Sequence, residues 1–453
     1  MYAAITGMYD GKPLSDSSGC RPPAGPPSEQ ETVVMSFVGD IPHYPFSFRG
    51  DALASELGRF VVEESVTRVV TNAGARGWLV TGYAAAREAL KDPRLSRSLI
   101  ADPDMPQEDS SAPPLSVVGT MTMLRRAGLR DEAVKGMGPR QTHVSLERVR
   151  DIADTLLTTM KAKAAENGNA SGNGSGRGNG KGNADESAEP GDLVVDFALP
   201  WASHVTCELL GLPTEAAPEL AGWFRLLSTG EMADENLFAD WTKALRRFDD
   251  WMTGIGTEGL LGRLALLNRS SGHPLSHQEM VEIALFLFVS GLGNPAGFLA
   301  LCGLVLARDP ELAARLRREP RALPGTLEEL YRWSVMLGDS IARIAREDAE
   351  IGGVPVRAGE LVLISIDAAN RDPAVFDSPD RLDIDRRPST PHLRFGQGRH
   401  FCPAAALNRA QTEVALRALL DTLPGLRLAV APDRIRWRQD HAVLLPETIP
   451  VRW

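Results

Sequence analysis

Between Ala284 and Ala307 the chain runs for 24 residues without a charged side chain. That exceeds the ~18 apolar residues that flag a membrane-spanning helix. The choice lies between a span and a helix buried on all sides within a large core. Gly291, Gly293, Asn294 and Pro295 stand in the middle of the run, and no second run of this length accompanies it. The expectation is therefore a core helix and no membrane anchor. A chain of 453 residues, 43% hydrophobic and 24% charged, has enough apolar material to wrap such a helix.

The remaining pattern is mostly helical. Residues 148–165 read as an amphipathic helix with Ile152, Leu156 and Leu157 on one face. Helical patterns also cover 195–210, 234–253, 277–307, 310–318 and 324–333. Residues 78–83 end a strand, and the helix that follows is stopped by Pro93. Residues 352–365, GGVPVRAGELVLIS, read as a hairpin-like β pair with Gly352, Gly353 and Gly359 as turn residues. Residues 434–451 read as short strands. The fold class expected is mainly α with minor β, in one domain from 33 to 453. Residues 1–32 are rich in Gly, Pro and Ser and are expected to be a disordered tail without a signal peptide. The Gly/Asn/Ser stretch at 166–191 reads as a flexible insertion inside that domain.

A net charge of −10 argues against a nucleic-acid partner, which usually meets a basic domain. The four cysteines, Cys20, Cys207, Cys302 and Cys402, lie far apart and show no zinc spacing. Cys207 and Cys302 sit in apolar stretches and read as core thiols. A reducing, cytoplasmic compartment fits this usage.

Residues 395–420 carry the most specific chemistry: FGQGRHFCPAAALNRAQTEVALRALL. A glycine-rich loop delivers Cys402 to the start of a helix. Gly396 and Gly398 let the backbone turn sharply and approach a flat ligand. Amides at a helix N-terminus, with Arg399 and His400 beside them, favour a thiolate. These features are compatible with a nucleophile, a redox sensor or a metal ligand.

The segment resembles the cysteine-ligand loop of the cytochromes P450, through Phe395, Gly396, Gly398, His400, Cys402, Leu407 and Arg409. Ala404 stands for the usual Gly, and Asn408 for the usual Ala. The resemblance implies haem b, with Cys402 as the ligand to iron, Phe395 in the cofactor loop and His400 against a propionate. A thiolate ligand favours O–O cleavage. Glu329-Leu330-Tyr331-Arg332 supplies the family's Glu-x-x-Arg, an i, i+3 pair able to meet on one helix face. Pro379-Asp380-Arg381-Leu382 resembles the stretch whose arginine completes that network, which implies Arg381. Arg343 resembles a propionate-binding arginine. The family's His-x-x-x-Arg pair, counted back from the 148–165 helix, falls on Arg126 and Arg130. Alone, such pairs are ordinary surface charges, and the resemblance is what assigns them. It covers the chain from about Phe48 to Trp453.

One part of the pattern is altered. Where the family carries Ala-Gly-x-Asp/Glu-Thr-Thr on its distal helix, this chain has Ser290-Gly291-Leu292-Gly293-Asn294-Pro295. The acid has become Gly293 and the alcohol Asn294. Pro295 removes an N–H from the carbonyl of Gly291. Ser290, Gly293 and Asn294 are therefore the candidate catalytic positions, and Asp339 to Ile341 a candidate pocket segment. The expected activity is haem-thiolate oxidation of a small organic molecule, a hydroxylation or oxidative coupling in natural-product tailoring, with an atypical proton relay. The rival class is a catalytically silent P450-like partner that activates another biosynthetic enzyme. Further expectations are a monomer and a ferredoxin-type electron donor, steered by Arg126, Arg394, Arg399 and Arg409.

Overall fold

The computed structural model describes residues 41–46, 50–108, 115–138, 144–171, 189–227, 235–335, 340–387, 390–437 and 445–453. Cys20, Asp339 and the proposed tail at 1–32 lie outside them. Fourteen α-helices are formed among the described residues. They are α1 (Ser55–Glu63), α2 (Tyr83–Lys91), α3 (Leu115–Arg126), α4 (Arg130–Gly136), α5 (Leu146–Ser171), α6 (Leu199–Leu210) and α7 (Ala217–Leu227). After these come α8 (Glu235–Thr253), α9 (Gly259–Asn268), α10 (His277–Arg308), α11 (Pro310–Arg318), α12 (Leu323–Trp333), α13 (Ile366–Ala369) and α14 (Ala405–Thr422).

The uncharged run is the heart of α10. This helix starts at a capping box, in which Ser276 accepts from the Glu279 amide and the Glu279 side chain reaches back to the Ser276 amide. Leu287, Leu292, Ala296, Leu299 and Leu304 are buried along it. By length and hydropathy α10 passes for a membrane span. It is instead enclosed by α6, α8, α3 and α14, the core position that its lack of a polar face requires.

Three small sheets lie around the helices. The largest takes its strands in the order β1 (His43–Tyr44), β2 (Val66–Thr71), β3 (Arg76–Val80), β9 (Leu361–Ile364), β6 (Ile341–Ala345) and β4 (Leu95–Ser96). β5 (Gly191–Asp192) joins β10 (Arg427–Leu428) and β11 (Pro450–Arg452). β7 (Ala349–Ile351) and β8 (Val354–Val356) form a separate hairpin. Gly352 and Gly353, with φ of 56° and 81°, provide the left-handed pair that a two-residue hairpin turn needs.

The segment expected as one β pair is thus split between two sheets. Its first half makes the β7–β8 hairpin. Its second half, β9, pairs parallel with β3 and antiparallel with β6. The stretch expected as an insertion at 166–191 is also narrower: α5 continues to Ser171, and Gly191 is already in β5, paired with Val451. The helix expected from 195 begins as a π-helical turn, Leu193–Ala198, capped by the Asp192 side chain on the amides of Val194 and Val195.

Candidate active site

The cysteine loop hangs between α12 and α14. Its bends are made by Gly396 and Gly398, at φ of 71° and 69°. A Cβ on Gly398 would lie 3.1 Å from the Leu90 carbonyl and 3.2 Å from Lys91 Cα, so this glycine also lets the loop close onto the end of α2. The Gly396 amide donates to the Leu393 carbonyl, and the Cys402 amide to the Phe395 carbonyl, at 2.8 and 2.9 Å. Three residues after Cys402, α14 begins. Burial pushes the Cys402 thiol up, against the Ala404 amide and the charge of Arg409. Cys207, pushed up to about 12, and Cys302, pushed well above its usual value, are buried core thiols.

Beside this loop stands a group of cations. Arg343, on β6, is 3% exposed. Its hydrogen bond among the described residues goes to the neighbouring Ala342 carbonyl, at 2.7 Å. Burial and then the charge of Arg97 bring Arg343 down to about 9. His400 is brought down to about 4 by desolvation and by Arg343, Arg97, Arg399 and Arg125. Arg343 is buried and Arg97 half-buried beside it, with no carboxylate paired to either among the described residues, while Arg125, Arg399 and His400 are exposed at the edge; holding like charges this close is costly. Such a cluster is chemically suited to a ligand that brings two carboxylates.

The positions counted onto α3 and α4 are not in this cluster. Arg126 is 55% exposed and pairs with Glu279 at 2.5 Å. Arg130 pairs with Asp131 at 3.2 Å. The α3 residue acting on His400 is Arg125. Arg97, which follows β4, carries no motif and was not anticipated.

Behind the cysteine, Arg332 donates from Nε and Nη2 to the Glu329 carboxylate at 2.7 and 2.8 Å. Both side chains are buried, at 2% and 4% exposure. The third member is Arg386, whose Nε donates to Glu329 Oε1 at 3.1 Å. Arg381, the expected partner, is exposed and contributes only its backbone carbonyl, to Arg332 Nη2 at 3.2 Å. Of the residues expected to steer a donor, Arg394 is buried against Asp367 at 2.6 Å, and Arg409 grips Glu328 at 2.5 and 3.0 Å. Arg126 and Arg399 are the exposed ones.

An aromatic series ties α10 to the cysteine loop. Phe298 stacks on Tyr331 of α12, 3.7 Å between centroids and 11° between planes. Tyr331 is 4.9 Å from Phe395, and Arg409 lies over Phe395 at 4.4 Å. The Tyr331 hydroxyl donates to Asn408 Oδ1 at 2.5 Å, and burial pushes its phenol well up, so it remains a donor. Asn408 thus has a partner that an alanine would lack. Ser290, Asn294 and Phe298 recur every four residues, so they share one stripe of α10. Ser290 is half-buried, Gly293 buried and Asn294 exposed. The Gly291 carbonyl, which Pro295 cannot bond, accepts from Thr206 Oγ1 at 2.9 Å. In the pocket segment, Ser340 Oγ donates to Glu108 Oε1 at 2.9 Å, and Ile341 is half-buried in β6.

Comparison with known proteins agrees with this architecture. The Cytochrome P450 family model matches residues 261–448. Mycocyclosin synthase of Mycobacterium tuberculosis is 32% identical over 415 residues, 90% of this chain and 98% of that protein. A structure of the mixed-function P450 MycG, a variant bound to mycinamicin V, is 30% identical and superposes at a TM-score of 0.76, covering 91% of this chain and all of that one. A cytochrome P450 with biaryl coupling reactivity is 29% identical, at a TM-score of 0.71 and with the same coverage. The chain belongs to the cytochrome P450 family of haem-thiolate oxidoreductases.

Proposed function

We propose that this enzyme is a cytoplasmic, monomeric tailoring P450 that hydroxylates or oxidatively couples an aromatic or peptide-derived small molecule. The observation that carries the reading is a complete cysteine loop, Phe395 to Cys402, joined to an altered distal helix. Cys402 would ligate the iron of haem b. Arg343, Arg97, Arg125 and His400 would hold its propionates; buried Arg343 beside half-buried Arg97, with no carboxylate paired to either among the described residues, supports this. When bound, the group supplies the oxidising power, tuned by the thiolate.

The residues of α10 set what remains. Gly293 has no side chain, and the Asn294 amide donates and accepts hydrogen bonds but does not act as an acid at neutral pH. The carbonyl of Gly291 is occupied by Thr206. Proton delivery then falls to the substrate, or to water it orders, with Ser290 one turn away as the nearest hydroxyl on the stripe. Relatives named for mycocyclosin synthesis and biaryl coupling favour an aromatic substrate. Electrons would come from a ferredoxin-type protein approaching exposed Arg399 and Phe401, the latter 49% exposed.

Two measurements test this reading. Reduced protein under carbon monoxide should give the red-shifted Soret band of a thiolate haem, and Cys402→His should lose it; an unchanged band rejects the ligand assignment. Restoring the acid and alcohol, with Gly293→Asp and Asn294→Thr, should not raise product formed per oxygen consumed. A faster, better-coupled enzyme would reject the altered relay. The missing acid and alcohol also favour a second reading, the catalytically silent partner. Full haem content with a substrate-induced spin change separates the enzyme from that reading.

A further inference from the structure

Pro295 lies inside α10 and cannot donate to the carbonyl four residues before it, that of Gly291. A carbonyl left without a partner inside a core costs free energy comparable to a lost hydrogen bond. Here the missing donor is replaced from a different helix. Thr206, in α6 and 3% exposed, donates its hydroxyl to that carbonyl at 2.9 Å. The fit has a steric side as well. A Cβ on Gly291 would meet Thr206 Cγ2 at 2.9 Å and Oγ1 at 3.1 Å. Three residues thus answer one another: Pro295 opens a position, Thr206 fills it, and Gly291 leaves room for the approach.

We infer that Thr206 is a positioning residue for the distal segment. Its hydroxyl holds the helix turn that presents Gly293 and Asn294, in place of the backbone bond that Pro295 removes. Thr206 touches neither reacting group; it acts through Gly291. The consequence is a turn in which one bond of the helix ladder is replaced by a side chain from another helix. The inference rests on reading α10 as the distal wall, and the exchange experiment below needs no substrate, so it fails or succeeds separately from that reading.

The test uses the full haem-loaded chain and four variants. Thr206→Val removes the donor at nearly constant volume, and Thr206→Ser keeps it. Pro295→Ala restores the backbone donor, alone and combined with Thr206→Val. Amide hydrogen exchange is followed at Leu292, Gly293 and Asn294. Loss of one neutral hydrogen bond, ~1 kcal/mol, should speed exchange about five-fold in Thr206→Val. Thr206→Ser should stay within about two-fold of the parent. In the Pro295→Ala background, Thr206→Val should lose most of its effect, because the carbonyl has its ladder partner again. The C–O stretching band of the ferrous carbonyl protein is a second readout, one that a global loss of stability does not move. It should shift or split in Thr206→Val and return in the double variant. Unchanged exchange in Thr206→Val, or an equal effect with and without Pro295, overturns the inference. If Thr206→Val yields no folded protein, Gly291→Ala is the substitute. It displaces the Thr206 hydroxyl sterically and should give the same local rise in exchange, and parent-like exchange there overturns the inference equally.

Discussion

Removing the charge of Glu329 should damage this protein more than any other single change behind the cysteine loop. Its carboxylate accepts two bonds from Arg332, one from Arg386 and one from the Asp383 amide at 3.0 Å. In Glu329→Gln two guanidinium groups, 2% and 10% exposed, would keep their charges without the counter-charge. Breaking a buried pair from one side costs about 3–5 kcal/mol. Arg332 retains the carbonyls of Asn370 and Pro379, at 3.0 and 2.8 Å, which places the cost toward the lower end. An unfolding entropy of ~2 cal/mol/K per residue over 453 residues makes the fall in Tm about 3–5 °C, with a matching loss of haem at expression temperature. The assay is thermal unfolding with haem content measured in parallel. Arg386→Ala, which removes the charge-assisted bond to Glu329 together with bonds to the carbonyls of Asp377, Ser378 and Arg381, should cost at least about 1.5–3 kcal/mol. Arg381→Ala should stay within ~0.5 kcal/mol, since that side chain is exposed. A Glu329→Gln protein as stable as the parent, or an Arg381 variant as damaged as the Arg386 variant, would refute the network.

Three further outcomes are expected. Gly191 sits against Met160, where a Cβ would lie 2.8 Å from Met160 Cγ, while α5 runs on to Ser171, about 16 Å further at 1.5 Å per residue; roughly five extended residues span that gap. Replacing residues 172–188 by eight Gly/Ser residues should leave Tm and haem content unchanged, replacement by two should not, and equal damage from both would show that the segment packs on the body. Burial raises Glu328, but His392 and Arg409 outweigh it and hold the carboxyl at about 2. Its stabilising part is present above the usual value of 4.5 and lost as pH falls through about 2; the difference in denaturant midpoint between the parent and Glu328→Gln should therefore close over that window, and a constant difference would contradict the pairing. Asn408→Ala leaves the buried Tyr331 hydroxyl without that acceptor and should cost about 1–3 kcal/mol, most of it recovered by adding Tyr331→Phe; additive effects in urea unfolding would show that the two side chains act independently.

Sequence alone determined the features whose geometry is local. The Glu329–Arg332 pair is an i, i+3 contact that any helix there would bring together. Gly396 and Gly398 announce left-handed turns because other residues pay steric strain there. The uncharged run could only be a span or a core helix, and the rest of the chain had enough apolar surface to enclose it. Tertiary structure decided every contact that depends on rotation or on the return path of the chain. Adjacent helical residues point about 100° apart, so an alignment one residue out selects Arg126, which pairs with Glu279, in place of Arg125, the residue that acts on His400. Arg381 and Arg386 close successive turns of one loop, and only the packed backbone decides which guanidinium enters. Arg97 carries no motif and joins Arg343 only because β4 pairs with β6. The sequence likewise showed that Pro295 frees a carbonyl, but not that Thr206, 85 residues away, occupies it. Such a partner is set by how α6 packs on α10, and no local rule of spacing encodes it.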